Sequence, residues 1–143
     1  MRLFLKLELQ SDPRVLSVVR SAVQQFASVL GFSEGDCNAI TLAVDEALTN
    51  VIRHAYQNRH DQPIGLVCEG RDAGAEFILT DCGIAADPAN FCSRPLGEVR
   101  GGGLGTHIIA KVMDQVSYER SAEGNRLRLF KSLNSKAREE AKP

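Results

Sequence analysis

The chain has 143 residues, a hydrophobic fraction of 43%, a charged fraction of 24% and a formal net charge of −1. This length fits one domain that buries a core without disulfides or metals. The balanced charge excludes a strongly basic nucleic-acid surface. No apolar run approaches the roughly 20 residues of a membrane span, and the N-terminus is too short and too alternating for a signal peptide. We therefore expect a cytoplasmic protein that binds neither nucleic acid nor membrane.

The first half of the chain predicts one strand followed by two helices. Apolar and polar residues alternate at the N-terminus, which indicates a half-buried strand. Asp12 and Pro13 are typical of a helix start, and Gly31 is typical of a helix end. Ser33 and Asp36 have the spacing of a capping box at the start of a second helix. The apolar stripe of that helix comprises Ile40, Ala43, Val44, Ala47, Leu48, Val51 and Ala55.

The second half predicts two pairs of strands, separated by a long loop and a third helix. In chain order these are strands 64–69 and 75–80, a loop over 81–103, a helix over 104–113, and strands 115–120 and 125–133. The order predicts a two-layer α/β sandwich, in which helices cover a mixed, mostly antiparallel sheet. We expect one domain over residues 1–133 and a polar, disordered tail over 134–143.

Four cysteines, at positions 37, 68, 82 and 92, have none of the spacings of a zinc site. The three histidines do not complete such a pattern either. We expect reduced thiols packed as small hydrophobic groups. Cys82 differs from the others because it lies in a loop that is a candidate for ligand binding.

Three segments carry residues suited to a nucleotide. Glu46 and Asn50 are one helical turn apart, so a carboxylate and a carboxamide can point at one ligand. Asp81 and Gly83 lie in a first glycine-bearing loop, and residues 101–106 form a second one. Such loops let backbone N–H groups approach phosphates. The chain lacks both the P-loop and the dinucleotide fingerprint, so the pattern predicts a nucleotide site of another kind.

Each segment taken alone has a simpler explanation. The first pair could be a solvated polar face of the helix, the Asp-x-Gly at 81–83 could be a turn, and the glycines of 101–105 could be a linker. The apolar helix predicted directly after these glycines favours an ordered helix entry. The three segments together, in this order, favour a binding site.

In order and spacing, the segments resemble the ATP-binding fold shared by histidine kinases, gyrase B, Hsp90 and MutL (the GHKL superfamily). More narrowly, they resemble the anti-sigma factor serine kinases of bacterial partner-switching systems, the RsbW and SpoIIAB type. The first box spans 46–56 and ends in His-Ala-Tyr, and the second is Asp-Cys-Gly at 81–83 followed by Asp87-Pro88. The third is Gly-Gly-Leu-Gly at 102–105. The resemblance extends from the first strand to Lys131.

The resemblance implies a role for each box. Asn50 would coordinate Mg²⁺ through its carboxamide oxygen, and Glu46 would be the general base. Asp81 would accept a hydrogen bond from the adenine amino group, and Gly83 would let the backbone approach the base. The glycine loop would fold over the triphosphate, beside the N-terminus of the third helix. The further nucleotide-binding residues implied are Arg53, Ala85, Arg100, Gly101, Gly102, Gly103, Leu104, Gly105 and Thr106.

Three positions depart from the family pattern. Ala85 stands where the second box normally has glycine, and alanine disfavours positive φ. We therefore expect weaker nucleotide affinity or an altered loop path. Thr106 replaces a larger apolar residue. Asn125 takes the place near the final strand where the wider superfamily often has a threonine for adenine.

By this resemblance, the chain would be a serine/threonine-protein kinase that uses ATP and Mg²⁺. It would phosphorylate a serine on a STAS-domain antagonist and sequester a sigma factor or another regulator, as a homodimer. An alternative is a nucleotide-binding partner-switch adaptor with little or no kinase activity. The catalytic domain of a split histidine kinase fits less well, because no predicted helix offers a phosphoacceptor histidine in a dimerisation hairpin.

Overall fold

The computed structural model describes residues 2–86 and 103–133, and for residues 103–106 it describes the backbone alone. Within these ranges the chain forms five strands and three α-helices. In chain order they are β1 (Phe4–Gln10), α1 (Leu16–Val29), α2 (Glu34–Asn50), β2 (Pro63–Arg71), β3 (Gly74–Asp81), α3 (Gly103–Val112), β4 (Gln115–Ser121) and β5 (Gly124–Ser132). Each element lies where the sequence predicts it, with small differences at the ends. The predicted tail, 134–143, lies outside the described residues.

The five strands form one sheet in the order β1-β2-β3-β5-β4. Every pairing that the described residues make is antiparallel, so the prediction of a mixed sheet is wrong for this part of the chain. The reason lies in the topology. A crossover through α3 makes β3 and β4 run in the same direction, but β5 lies between them and pairs with both in the opposite direction.

The three helices cover one face of the sheet. Along β2, β3 and β5, the buried apolar side chains recur at every second position and therefore share a face. They are Ile64, Leu66, Cys68, Ala75, Phe77, Leu79, Leu127 and Leu129. They form one hydrophobic core with buried residues of the helices, such as Val23, Ile40, Leu48 and Ile109. This arrangement confirms the predicted two-layer α/β sandwich. Among the described residues, no helix is long and apolar enough to cross a membrane.

The predicted helix ends are largely confirmed. Asp12 Oδ1 accepts a hydrogen bond from the backbone N–H of Arg14 at 2.9 Å, but it caps a short 3-10 turn (Pro13–Val15) that precedes α1. Gly31 follows α1 with a φ of +97°, a conformation that favours glycine. Ser33 Oγ accepts from Asp36 N at 3.1 Å and caps α2.

The apolar stripe of the second helix predicts an α-helix up to Ala55, but the structure differs. The α-helical part ends at Asn50, and Val51–Ala55 forms a π-helical segment. Accordingly, Tyr56 N donates to Val51 O, five residues back, at 2.9 Å. The chain then leaves the helix through Gln57 and Asn58, both at positive φ. Single π-helical turns inside helices are frequent at functional sites.

The described cysteines are free thiols. Cys37 and Cys68 are buried in the core, as predicted, and burial raises the pKa of the Cys68 thiol to about 12. Both therefore serve as small hydrophobic groups. Cys82 is exposed, and the fourth cysteine, at position 92, lies outside the described residues.

Candidate nucleotide-binding site

Asp81 is the last residue of β3 and lies on the helix-covered face of the sheet. Its side chain follows the alternation of Ala75, Phe77 and Leu79, and the residue is only 9% exposed. Its Oδ1 accepts hydrogen bonds from Gly83 N at 2.9 Å and from Asn125 Nδ2 at 2.8 Å. Its Oδ2 makes no hydrogen bond with the described residues. This oxygen is therefore an acceptor available to a ligand.

The loop after Asp81 is attached to the end of the second helix. Tyr56 Oη accepts from Cys82 N at 2.9 Å and donates to Pro63 O at 2.5 Å. Burial raises the pKa of the Tyr56 phenol, which keeps it neutral and able to fill both roles. Ile84 N donates to Ala55 O at 2.9 Å. The π-helical segment therefore ends directly against the loop.

Gly83 lets two backbone segments meet. A Cβ at this position would overlap the carbonyl group of Ala55, and Gly83 is not among the described glycines with positive φ. Its lack of a side chain therefore provides space against the second helix. This contact with Ala55 does not test whether Gly83 lets the backbone approach a base, which stays a prediction.

Side chains of β4 and β5 hold the other side of the same loop. Tyr118 Oη accepts from Ala86 N at 2.8 Å, and Arg120 Nη1 donates to Gly83 O at 3.1 Å. Asn125 Nδ2 also donates to Gly83 O at 3.1 Å. We did not predict a role for Tyr118 or Arg120. The sequence signal that could reveal them is the alternation along β4, which places Tyr118 and Arg120 on the same face as Asn125.

Ala85 follows this loop without strain. Among the described residues other than glycine, positive φ occurs at Gln57 and Asn58, so Ala85 lies outside the left-handed region. An alanine can therefore adopt this backbone path. Whether Ala85 weakens nucleotide binding stays a prediction.

Glu46 and Asn50 lie near the C-terminal end of α2, and both are half-buried. Asn50 Nδ2 is buried and has no hydrogen-bond partner among the described residues. Glu46 makes no ion pair or hydrogen bond with them either. An unpaired buried amide costs about 1–3 kcal/mol, so a ligand that bonds to this carboxamide would remove a penalty.

The carboxamide near the C-terminal end of α2 suits a hard cation that takes most of its other ligands from a bound small molecule. Rotating the carboxamide of Asn50 exchanges its oxygen and nitrogen, and the oxygen is a ligand type that Mg²⁺ accepts. Within residues 2–86 and 107–133, no three His, Cys, Asp or Glu side chains lie close enough together to hold a metal ion. A Mg²⁺ ion here would therefore take its remaining ligands from phosphate oxygens and water.

The two ends of the candidate site belong to one segment. Asn50 is followed directly by the π-helical residues, the last of which, Ala55, contacts Gly83 and Ile84. At about 1.5 Å per residue, this stretch spans about 8 Å of helix axis. One short segment therefore connects Asn50 to the loop that follows Asp81.

The remaining predicted residues fall in three places. Arg53 is exposed and makes no ion pair within the described part of the chain. Gly103, Leu104, Gly105 and Thr106 form the first turn of α3, whereas we predicted Gly103 as the end of the loop. The first backbone N–H groups of a helix have no intrahelical partner and can bind an anion. Arg100, Gly101 and Gly102 lie outside the described residues.

Comparison with known proteins now identifies the fold. Residues 9–131 match the histidine kinase-like ATPase domain family. The chain belongs to this family. The match includes Glu46, Asn50, Asp81 and the loop that follows Asp81, and it confirms the GHKL resemblance.

The curated relatives include a protein named as a serine-protein kinase and one named as an anti-sigma factor. The chain is 35% identical over 109 residues to serine-protein kinase RsbW of Halalkalibacterium halodurans, an alignment covering 71% of this chain and 66% of that protein. It is 29% identical over 136 residues to the anti-sigma F factor of Clostridium novyi, with 92% of this chain and 95% of that protein covered.

Solved structures with low sequence identity share the fold. The RsbU and RsbW domains of a Mycobacterium tuberculosis protein match with a TM-score of 0.67 at 16% identity, over 92% of this chain and 32% of that longer chain. A histidine kinase domain from Erythrobacter litoralis matches with a TM-score of 0.59 at 17% identity, over 91% and 65% of the two chains.

Proposed function

We propose that this chain is an anti-sigma-type serine/threonine-protein kinase of a bacterial partner-switching pathway. It binds ATP with Mg²⁺ and transfers the γ-phosphate to a serine of a STAS-domain antagonist, and it sequesters a sigma factor or another regulator as a homodimer. The observation that carries the proposal is the buried carboxamide nitrogen of Asn50, one helical turn from the carboxylate of Glu46; neither group has a partner within the described part of the chain. The names of the relatives support the choice of kinase and partners.

The adenine end of the proposed site is Asp81. Its Oδ2, which bonds none of the described residues, accepts a hydrogen bond from the exocyclic amino group of adenine, while Oδ1 already accepts from Gly83 and Asn125. A base that presents a carbonyl oxygen at this point would place one acceptor against another. Asp81 therefore gives the site its preference for ATP.

The phosphate end consists of Asn50 and the first turn of α3. Asn50 would hold Mg²⁺, and the bound ion would neutralise charge on the phosphate oxygens. The N-terminal N–H groups of α3 offer the phosphates further donors. Phosphoryl transfer requires little covalent work from the protein, so positioning these groups accounts for most of the catalysis.

Glu46 is the proposed general base. It has no competing partner within the described part of the chain, so its carboxylate is available to the hydroxyl of a substrate serine. Removing the proton of that hydroxyl as the phosphoryl group arrives typically contributes 10²–10⁴-fold in rate.

The test is intact-mass analysis of a STAS-domain protein from the same organism, incubated with this chain and Mg-ATP. We expect the wild type to add one phosphate. The variant Glu46→Gln should bind ATP with unchanged affinity but transfer phosphate at least about a hundredfold more slowly. Asp45→Asn is the matched control, because Asp45 is the neighbouring carboxylate and pairs with Arg20 at 3.1 Å.

The outcomes separate the alternatives. Equal loss of transfer in Asp45→Asn and Glu46→Gln, or normal transfer by Glu46→Gln, would refute the general-base role. A stable nucleotide-dependent complex with no phosphate added would indicate the partner-switch adaptor. If neither transfer nor a complex appears with several STAS-domain proteins, direct titration with ATP decides whether the site binds nucleotide.

A further inference from the structure

Asp81, Asn125 and Arg120 lie in one row across three strands. The register pairs Asp81 of β3 with Asn125 of β5, and Asn125 with Arg120 of β4. Directly paired residues on one face of an antiparallel sheet have Cβ atoms about 4.5–5.5 Å apart, so their side chains can bond across the sheet. The row lies on the helix-covered face, at the end of the sheet where the loop after Asp81 begins.

The carboxamide of Asn125 is fully used within the protein. The residue is 3% exposed. Its Oδ1 accepts from Tyr118 Oη at 2.9 Å and from Arg120 Nη1 at 3.0 Å. Its Nδ2 donates to Asp81 Oδ1 and Gly83 O, with a longer contact of 3.4 Å to Ile84 O. An amide offers two donors and two acceptor positions, so no capacity remains for a nucleotide.

These hydrogen bonds prevent Asn125 from contacting a nucleotide base directly. A threonine or asparagine that contacts the base needs a free donor or acceptor, and Asn125 has none. It can act only through the groups it holds, which are the carboxylate of Asp81 and the carbonyl groups of Gly83 and Ile84. We call Tyr118, Arg120 and Asn125 the Asn125 network.

The network fixes both the carboxylate and the backbone beside it. With two donors on Oδ1, the Asp81 carboxylate cannot rotate freely, and Oδ2 is held in one direction. The carbonyl group of Gly83 accepts from both Asn125 and Arg120 and is held by them, with a longer contact from Asn125 to the carbonyl group of Ile84. Among the described residues of this row and loop, the polar group left for a base is then an acceptor, Oδ2 of Asp81. Adenine presents an amino donor at its position 6, whereas guanine presents an oxygen acceptor there.

We propose that Asn125 is a positioning residue that sets the preference for adenine over guanine, through its hold on Asp81 and the Gly83–Ile84 backbone. The inference rests on the proposed nucleotide site. Arg120 and Tyr118 support it by occupying the carboxamide oxygen, which directs Nδ2 towards Asp81. Loss of the hydrogen bonds of the Asn125 network frees the Asp81 carboxylate and the loop carbonyl groups to reorient. The site then binds ATP more weakly and accepts GTP.

The test is calorimetric titration of the full chain with ATP and with GTP. For Asn125→Ala we expect the ratio of ATP to GTP affinity to fall by roughly tenfold, and for Arg120→Met by roughly threefold. Arg120 is exposed, so Arg120→Met keeps the test open if Asn125→Ala fails to fold. Arg126→Met is the matched control, because Arg126 is on the opposite face and pairs with Glu119 at 3.3 Å; its ratio should equal that of the wild type.

Each result has a distinct meaning. A reduced ratio in both network variants, with an unchanged ratio in the control, supports the inference. Equal weakening of ATP and GTP binding would indicate a merely structural role and overturn the inference. An unchanged ratio of the two affinities in Arg120→Met would overturn it too. In both cases, a wild type that prefers ATP would leave the proposed function intact. A wild type that binds neither nucleotide refutes the proposed function itself.

Discussion

The two ends of the candidate site differ in how their polar groups are satisfied. At the adenine end, the loop after Asp81 is bonded from three sides: by Ala55 and Tyr56 after α2, by Asn125 on β5, and by side chains of β4. At the phosphate end, Asn50 has a buried amide nitrogen without a partner in the described chain. Within the described residues, one end is thus bonded in advance, whereas the other keeps an unsatisfied group that is open to a ligand.

This difference indicates how each end contributes to binding. A preformed, fully bonded loop orders no further groups when the base arrives, so selectivity costs little conformational entropy. An unsatisfied amide raises the free energy of the free protein and is relieved only in the complex. The comparison leads to three predictions, on the phosphate end, on the junction of the ends, and on the adenine end.

The largest effect is expected from Asn50→Ala, which removes the carboxamide whose buried nitrogen has no partner among residues 2–86 and 107–133. We expect Mg-ATP affinity to fall by roughly tenfold to a hundredfold and to become insensitive to chelation of Mg²⁺. The free energy of unfolding of the nucleotide-free protein should stay the same or rise by about 1 kcal/mol, because a buried unpaired group is lost and alanine favours a helix. Calorimetric titration and denaturant unfolding measure the two quantities.

Asn38→Ala is the control for Asn50→Ala. Asn38 is also on α2, but its side chain bonds Gln24 of α1 at 2.9 Å. This substitution should leave nucleotide affinity unchanged. A clear loss of stability in Asn50→Ala with Mg²⁺ dependence retained would mean that the carboxamide has a structural partner and is no ligand.

The junction of the two ends is tested by Gly83→Ala. The added Cβ would overlap the Ala55 carbonyl, so we expect a loss of about 1–3 kcal/mol in unfolding free energy and weaker ATP binding. Gly35→Ala is the matched control, because the space around Gly35 is open. It should leave stability unchanged or raise it by up to about 1 kcal/mol. Equal stability of Gly83→Ala and Gly35→Ala would contradict the close contact of loop and helix.

The smallest effect is expected from Tyr56→Phe at the adenine end. It deletes the hydroxyl that joins Cys82 N and Pro63 O, and we expect a loss of about 1–2 kcal/mol in unfolding free energy. ATP affinity should fall only a few-fold, because Asn125 and Arg120 still hold the loop. A loss of ATP affinity as large as that of Asn50→Ala would show that the loop is not independently held.

The sequence predicted the elements and the residues of the boxes, because these depend on local patterns. Alternation indicated the strands, and Gly31 and Ser33 marked helix ends through their own backbone chemistry. The error about a mixed sheet arose because insertion of β5 between β3 and β4 is a tertiary choice that no local pattern encodes.

The residues that support the site were harder to predict. Tyr118 and Arg120 act through Ala86 and Gly83, more than thirty residues away in sequence, so only the register reveals them. The π-helical segment after Asn50 was not predicted either, because its apolar spacing fits an α-helix equally well. The pattern predicts Gly103 as the last residue of the loop, whereas it is the first residue of α3.

The central claim is that this chain binds one ATP between Asp81 and Asn50. Calorimetric titration of the wild-type protein with ATP, in the presence of Mg²⁺ and again after its chelation, tests it most directly. We predict saturation at one ATP per chain, with weaker binding once Mg²⁺ is removed and much weaker binding of GTP. Absence of saturable heat with ATP, or equal affinities for ATP and GTP, would contradict the claim.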